Sequence, residues 1–346
     1  EQWQQSFRKW TKRAFNLGDA PLVRVKLMTL GDGTCLLGFC IHHIISDGLS
    51  IGILIRDISH AYDAFARHSE PELPQLQISY ADYSQWLQHE KNIASRAQGL
   101  HYWSNKLSGY QNLELKTDKP RPKSFSGKGG LLKMEFDRTT INHFLSCCND
   151  HGVTLFAGLT AAVYLVLSRY SGQDDFCLGM PIANRDEREL ENIVGVFVNT
   201  LVLRLNPDLE NLKVQELLRY IKQQINDART HQNVPFEQLV EVIQPERDLS
   251  RNPIFQVLIS HIHPERNITF GALSGEPITI NNKTSRFDLS FDFEEESNGD
   301  LVLMLEYCSD LFLHSTITRI ALHLKECIKE LSCKTLCNEI DFVNLQ

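Results

Sequence analysis

The sequence is short of several things at once. It holds no apolar run approaching the ~20 residues that a membrane-spanning helix needs. No basic, apolar-cored leader opens it, so no signal peptide is read. No two of its nine cysteines form a C-x-x-C pair, which removes the zinc ribbon and the dithiol redox motif. Positive charge is not in excess: 35 Lys and Arg face 43 Asp and Glu, for a net charge of −8. Nucleic acid is therefore not expected as a partner, since phosphate binding needs a concentrated basic surface. Neither an internal repeat nor a low-complexity tract occurs. What is present, 42% hydrophobic and 23% charged residues in a chain of 346, is ample for a buried core. The length is about two domains' worth at ~150 residues each. An odd number of cysteines, mostly in apolar stretches, reads as reduced thiols packed like small hydrophobes. The expectation is a soluble, cytoplasmic, globular protein with no membrane partner.

Periodicity divides the chain. Glu1 to Phe15 reads as an amphipathic helix through Trp3, Phe7, Trp10 and Phe15, and Pro21 to Leu30 as a strand. Thr34 to Ile45 is a long apolar run, read as a buried strand, and Leu49 to Arg67 follows as a helix. A helical block spans about 80–107. The Pro-, Gly- and Lys-rich stretch Thr117 to Gly130 (TDKPRPKSFSGKGG) then reads as a linker. Strands are expected at 131–136, 175–182, 196–205, 254–262 and 301–308, and helices at 139–150, 154–170, 214–229, after Pro235, and at 316–331. Strands and helices mix in both halves, so the class is α/β or α+β. The division expected is an N-terminal lobe over 1–115, a linker over 116–130 and a C-terminal lobe over 131–346.

The densest polar cluster in an apolar setting is Ile41-His42-His43-Ile44-Ile45-Ser46-Asp47-Gly48. Consecutive strand side chains point to opposite faces, so two strand histidines cannot share one cavity. Histidine is the natural proton handler near neutral pH. Asp47 would orient the neighbouring chain or pair with a distant arginine. The competing account is a satisfied core histidine beside a turn aspartate, which for a lone histidine is the better one. A zinc site would need further ligands that nothing here supplies, so no metal is expected.

Other motifs, taken in order, change that balance. HHIISDGLS (His42 to Ser50) resembles the HHxxxDG signature of condensation domains from nonribosomal peptide synthetases. YADYSQW (Tyr80 to Trp86) is similar to that family's Y-x-D-[FY]-x-x-W segment, and VGVFVNTLVLR (Val194 to Arg204) to its GxFVNT strand. HQNVPFE (His231 to Glu237) and RDLSRNPIF (Arg247 to Phe255) resemble HQDxPFE and RDxSRNPLF. PIANRDERE (Pro181 to Glu189), SRFDLS (Ser285 to Ser290) and LEYCSDLF (Leu305 to Phe312) extend the likeness over essentially the whole chain. Two N-terminal motifs of the family, SxAQxR and RHExLRTxF, are absent, which suggests a domain lacking its N-terminal portion.

The resemblance implies a chloramphenicol acetyltransferase-like fold, two lobes in a V with a tunnel between them. Two carrier-protein phosphopantetheine arms would enter that tunnel from opposite faces. The reaction implied is amide formation. The amine of a downstream aminoacyl thioester attacks an upstream acyl or peptidyl thioester, of the type joining an L-donor to an L-acceptor. His43 is the implied catalytic residue, either a general base or a group that positions the amine and stabilises the tetrahedral species. His42 belongs to the same motif. Asp47 is implied to be structural, paired with Arg185 of PIANR on the second lobe. Gly48 would allow close approach of the pantetheine arm, and Asn252 of SRNP would line the site. No acyl-enzyme is needed, and no G-x-S-x-G nucleophile elbow is read. The domain would bind no cofactor of its own, its phosphopantetheine coming from upstream and downstream carriers beside an adjacent adenylation domain.

Remaining motif residues read as structural. Tyr80, Tyr83 and Trp86 are packing, Phe197, Val198 and Asn199 strand core plus an amide partner, and Arg286 with Asp288 an ion pair. The basic stretch Lys119, Arg121, Lys123 and Lys128 is a solvated loop or, less simply, a contact for an acidic carrier. Two rivals stand beside the enzyme: a degenerate docking platform for carriers, and an epimerisation-type relative. Heterocyclisation types, with DxxxxD in place of the histidines, and plant-type members, with DFGWG, do not match.

Overall fold

A computed structural model describes residues 2–262, 268–278, 282–296 and 299–341. In chain order the elements begin α1 (Gln2–Thr11), β1 (Val23–Thr29), β2 (Cys35–Ile41), α2 (Gly48–Ala66), α3 (Tyr80–Leu87) and α4 (Glu90–Lys106). Next come β3 (Gly129–Glu135), α5 (Arg138–Asp150), α6 (Leu155–Ser171), β4 (Phe176–Ile182), β5 (Asn199–Leu205), α7 (Val214–Thr230) and α8 (Phe236–Ile243). The chain closes with β6 (Val257–Ile262), β7 (Ile268–Phe270), β8 (Leu273–Gly275), β9 (Leu289–Glu295), β10 (Leu301–Cys308) and α9 (His314–Leu331). Mixed α/β architecture is as the sequence predicts.

Two units emerge, one from residues 1–89, 183–198 and 265–282, the other from 90–182, 199–264 and 283–346. The boundaries drawn from the sequence, 1–115, 116–130 and 131–346, fall elsewhere. Helix α4 belongs with the second unit, and two later excursions of the chain belong with the first. The stretch read as a linker is packed into the second unit. Arg121 forms an ion pair with Asp288, whose side chain is 3% exposed, and donates to Ser250 O at 3.2 Å. Lys119 Nζ reaches Ser309 O at 2.6 Å. Proline and glycine there report irregular backbone, not absence of packing. Asp288 thus pairs with Arg121, and the expected Arg286–Asp288 pair is corrected.

The second unit is built on a six-stranded sheet in the order β3-β10-β9-β6-β4-β5. Its pairings are antiparallel except β4 with β6 and β6 with β9. Helix α6 is apolar all round and buried from Ala157 to Ser168, as a helix with no polar face must be. Thr154 caps its start through Ala157 N–H, and Gly172, in the left-handed region at φ 71°, ends it. Gly158 lets α5 approach: a Cβ there would stand 2.5 Å from Cys148 Sγ and 2.8 Å from Phe144 Cζ. Gly158→Ala is expected to destabilise the fold by about 1–3 kcal/mol through overpacking. A lowered denaturant midpoint with unchanged slope is the check; an unchanged midpoint would show that α5 yields freely.

In the first unit β1 and β2 form a two-stranded antiparallel ladder, Val23 opposite Ile41 and Thr29 opposite Cys35. The Phe7 ring of α1 lies where a Cβ on Gly38 would be, at 2.2 Å. No β2 side chain is fully buried, and Leu37 is 41% exposed. The buried strand expected over Thr34 to Ile45 is therefore shorter and barer than expected, because a two-stranded ladder with a helix on it buries one face. Beyond Ile41 the chain turns into a short 3₁₀ helix, His43–Ile45. Among the described residues no single helix is long and apolar enough to cross a membrane, and no group of His, Cys, Asp or Glu could hold a metal. All nine cysteines are free thiols, five of them buried.

Candidate functional site

Neither histidine of the pair is on the strand. His42 is the residue before the 3₁₀ turn, and His43 is its first residue. The alternation argued from a strand therefore does not apply, and hydrogen bonds separate the two rings instead. His42 Nδ1 accepts from Ile44 N–H at 3.1 Å. An accepting Nδ1 leaves the proton of the neutral ring on Nε2. His43 Nδ1 lies 2.8 Å from Ser46 O, and a carbonyl oxygen only accepts, so this Nδ1 carries the hydrogen. The neutral His43 ring thus keeps its lone pair on Nε2. Two adjacent imidazoles are held in opposite tautomers, and only exposed His43 offers a free basic nitrogen.

Asp47 begins α2 and is 5% exposed. Its Oδ1 accepts from Ser50 N–H at 2.9 Å and Arg185 Nη2 at 3.1 Å. Oδ2 accepts from Phe197 N–H at 3.0 Å, and Asp47 N–H donates to Gly195 O at 3.1 Å. Arg185 adds bonds to Leu190 O at 2.6 Å and Ile193 O at 2.7 Å, and its guanidinium lies 4.0 Å from the centre of the Phe197 ring. Both side chains of the pair are 4% exposed. The Asp47–Arg185 pairing drawn from the motifs is present, but residues 183–198 belong to the first unit, so it is not a bridge to a second lobe. It ties one segment of the first unit to the start of α2.

Ser50 is a participant the sequence reading missed. Its hydroxyl donates toward Asp47 Oδ1 at 2.8 Å, with Gly195 O at 2.9 Å competing for the same proton. It accepts from Gly195 N–H at 3.1 Å and Arg185 Nη2 at 3.0 Å. A G-x-S-x-G spacing does occur, Gly48-Leu49-Ser50-Ile51-Gly52, contrary to the reading that none is present. With every valence of the hydroxyl occupied and no surface exposed, Ser50 is a brace and not a nucleophile. The signal available was its place in the first turn after a capping aspartate.

Gly48 is exposed, and a Cβ on it would meet nothing within 4 Å among the described residues. Asn252 lies in the second unit, where its Nδ2 donates to Arg286 O at 2.6 Å. Asn199, also there, ties the GxFVNT strand to the HQNVPFE turn. Its Nδ2 donates to Gln232 O and Val234 O, and its Oδ1 accepts from Phe236 N–H.

Burial pushes the Asp47 pKa up, but the Phe197 and Ser50 hydrogen bonds and the Arg185 charge outweigh it, and the carboxyl sits below the usual aspartate value. A depressed folded pKa contributes stability above the unfolded value, about 3.9, and loses it as pH falls through the folded one. Acidification below about pH 4 should therefore weaken the docking of residues 183–198, and Asp47→Asn should flatten that limb of a denaturant-midpoint profile. An equally steep limb in Asp47→Asn would contradict this.

A family model described as the condensation domain matches residues 1–344. Malpinin synthetase of Mortierella alpina is 37% identical over 321 residues, which are 92% of this chain and 4% of that protein. Chondramide synthase cmdD of Chondromyces crocatus is 36% identical over 315 residues, 90% of this chain and 8% of the relative. The chain thus spans a small part of these relatives. Among solved structures, a four-domain nonribosomal peptide synthetase bound to AMP and glycine superposes with a TM-score of 0.85 at 24% identity, covering 99% of this chain and 27% of that one. The X-domain from teicoplanin biosynthesis gives 0.86 at 23%, covering 98% and 78%. These likenesses carry the fold, and the expected chloramphenicol acetyltransferase-like class is borne out.

Proposed function

The chain belongs to the condensation-domain family, and from that premise we propose that it forms an amide bond between two substrates carried on phosphopantetheine arms. The upstream arm bears an acyl or peptidyl thioester, and the downstream arm bears an aminoacyl thioester with a free amine. An L-configured donor and an L-acceptor are the substrates the motifs favour. Upstream and downstream carrier proteins are the partners, with an adenylation domain loading the downstream one.

His43 Nε2 accepts a hydrogen bond from the attacking amine and takes its proton as the C–N bond forms. The tetrahedral species then collapses, the C–S bond breaks, and the imidazolium returns the proton to the departing thiolate. Atoms and charges balance without an acyl-enzyme. Such proton transfer typically contributes 10²–10⁴-fold, and delivery of two tethered reactants to one place contributes further. The observation that supports this reading is the Nδ1–H bond of His43 to Ser46 O, which leaves Nε2 as the acceptor on an exposed ring.

The test supplies the chain with two carriers loaded with aminoacyl-pantetheine and weighs the intact downstream carrier. A mass gain of one donor residue, with loss of the donor from the upstream carrier, is expected. Carriers that retain their own loads would overturn the proposal.

A further inference from the structure

The YADYSQW segment is a motif to which the proposed reaction gives no part in the chemistry. It forms α3, whose start is fixed by a reciprocal cap: Ser79 Oγ accepts from Asp82 N–H and Asp82 Oδ2 accepts from Ser79 N–H. From this helix Tyr83, 6% exposed, packs with Leu190, Ile193 and Phe197, its ring 4.7 Å from that of Phe197. Tyr80 meets Phe197 edge-on at 5.3 Å. The Tyr80 ring also fills the space beside Gly195, where a Cβ would stand 2.3 Å from its Cδ2, and its hydroxyl donates to Val196 O at 2.8 Å.

Gly195, Val196 and Phe197 are therefore gripped from two directions. Gly195 O and Phe197 N–H hold the backbone and carboxylate of Asp47. The carbonyl between them is held by Tyr80. Asp47 is bonded covalently to Ser46, whose carbonyl sets the His43 tautomer. A shift of residues 195–197 moves Asp47, and with it the one acceptor that keeps hydrogen on His43 Nδ1.

We propose that Tyr80 is a positioning residue for His43, acting through residues 195–197 and Asp47; this rests on the role of His43 proposed for the reaction. Tyr80 touches no reacting atom in this scheme. Its hydroxyl limits the freedom of the 195–197 backbone, so removing that hydroxyl should loosen the tautomer while leaving the aromatic packing in place.

The variant is Tyr80→Phe, with Gln85→Ala on the exposed side of the same helix as control. Two readouts are taken on the whole chain: ring ¹⁵N spectra, with the His43 signals assigned by their loss in His43→Gln, and transfer kinetics with loaded carriers. Tyr80→Phe should lower kcat roughly three- to tenfold, the scale of one exposed-to-half-buried hydrogen bond, with KM for the carriers unchanged. His43 should move from a single Nδ1–H pattern toward a mixture of tautomers, and Gln85→Ala should change neither. Unchanged His43 signals in Tyr80→Phe would overturn the proposal, whatever happens to stability or KM. Should the unaltered chain make no dipeptide, the proposed reaction fails, and the spectra still decide whether Tyr80 orders the His43 ring.

Discussion

His43→Ala is expected to lower dipeptidyl transfer by about 10²–10⁴-fold, the range for loss of a positioned proton acceptor. The fold should be little affected, since the ring is exposed and contributes one hydrogen bond, to Ser46 O. His42→Ala should cost far less in rate, because its Nδ1 is occupied by Ile44 N–H and its neutral ring presents a donor. The contrast between adjacent histidines separates proton acceptance from a general need for imidazole. Single-turnover rates from the mass of the downstream carrier check it. Undiminished transfer by His43→Ala, or equal losses in both variants, would remove the assigned role.

The second large effect concerns stability. Were Asp47 only the cap of α2, Asp47→Ala would cost about 1 kcal/mol. A buried pair that loses one member strands the other charge, at about 3–5 kcal/mol, and with both side chains 4% exposed the larger figure should win. Arg185→Ala should fall in the same range, and the double variant should cost well under the sum, since the two share one network. Denaturant midpoints of the four proteins close the cycle. Additive losses near 1 kcal/mol each would mean that the pair acts as a cap alone. Because Asp47 also holds the Ser46 carbonyl that sets the His43 tautomer, its variant should lose folded protein and some transfer per folded molecule as well, whereas His43→Ala loses transfer alone.

Helices α7 and α9 were legible in the sequence for a physical reason: each buries a stripe of side chains along one face, and 3.6-residue spacing follows from that. Strand β9 was legible but went unread: Leu289, Phe291 and Phe293 alternate with Ser290, Asp292 and Glu294 in the period-2 pattern of a strand. Motif order brought Asp47 and Arg185 together across 138 positions of chain, which no local pattern could do. Spacing could not reveal that the histidines leave the strand at Ile41, since an apolar run does not say where a ladder loses its partner. The tautomers were equally out of reach, being set by Ser46 O and Ile44 N–H, backbone groups that every residue but proline carries. Ser50 went unread because a serine in a first helical turn is ordinary until its burial and the four contacts of its hydroxyl are known.

A carrier whose pantetheine arm ends in an α-chloroacetamide gives the most direct measurement. Presented in place of the aminoacyl arm, it should alkylate His43 at Nε2, and peptide mapping by mass spectrometry should place the adduct there and not on His42. Loss of the adduct in His43→Gln, with carrier binding retained, would complete the expected result. Alkylation of His42, or of neither histidine while the carrier remains bound, would contradict the role given to His43.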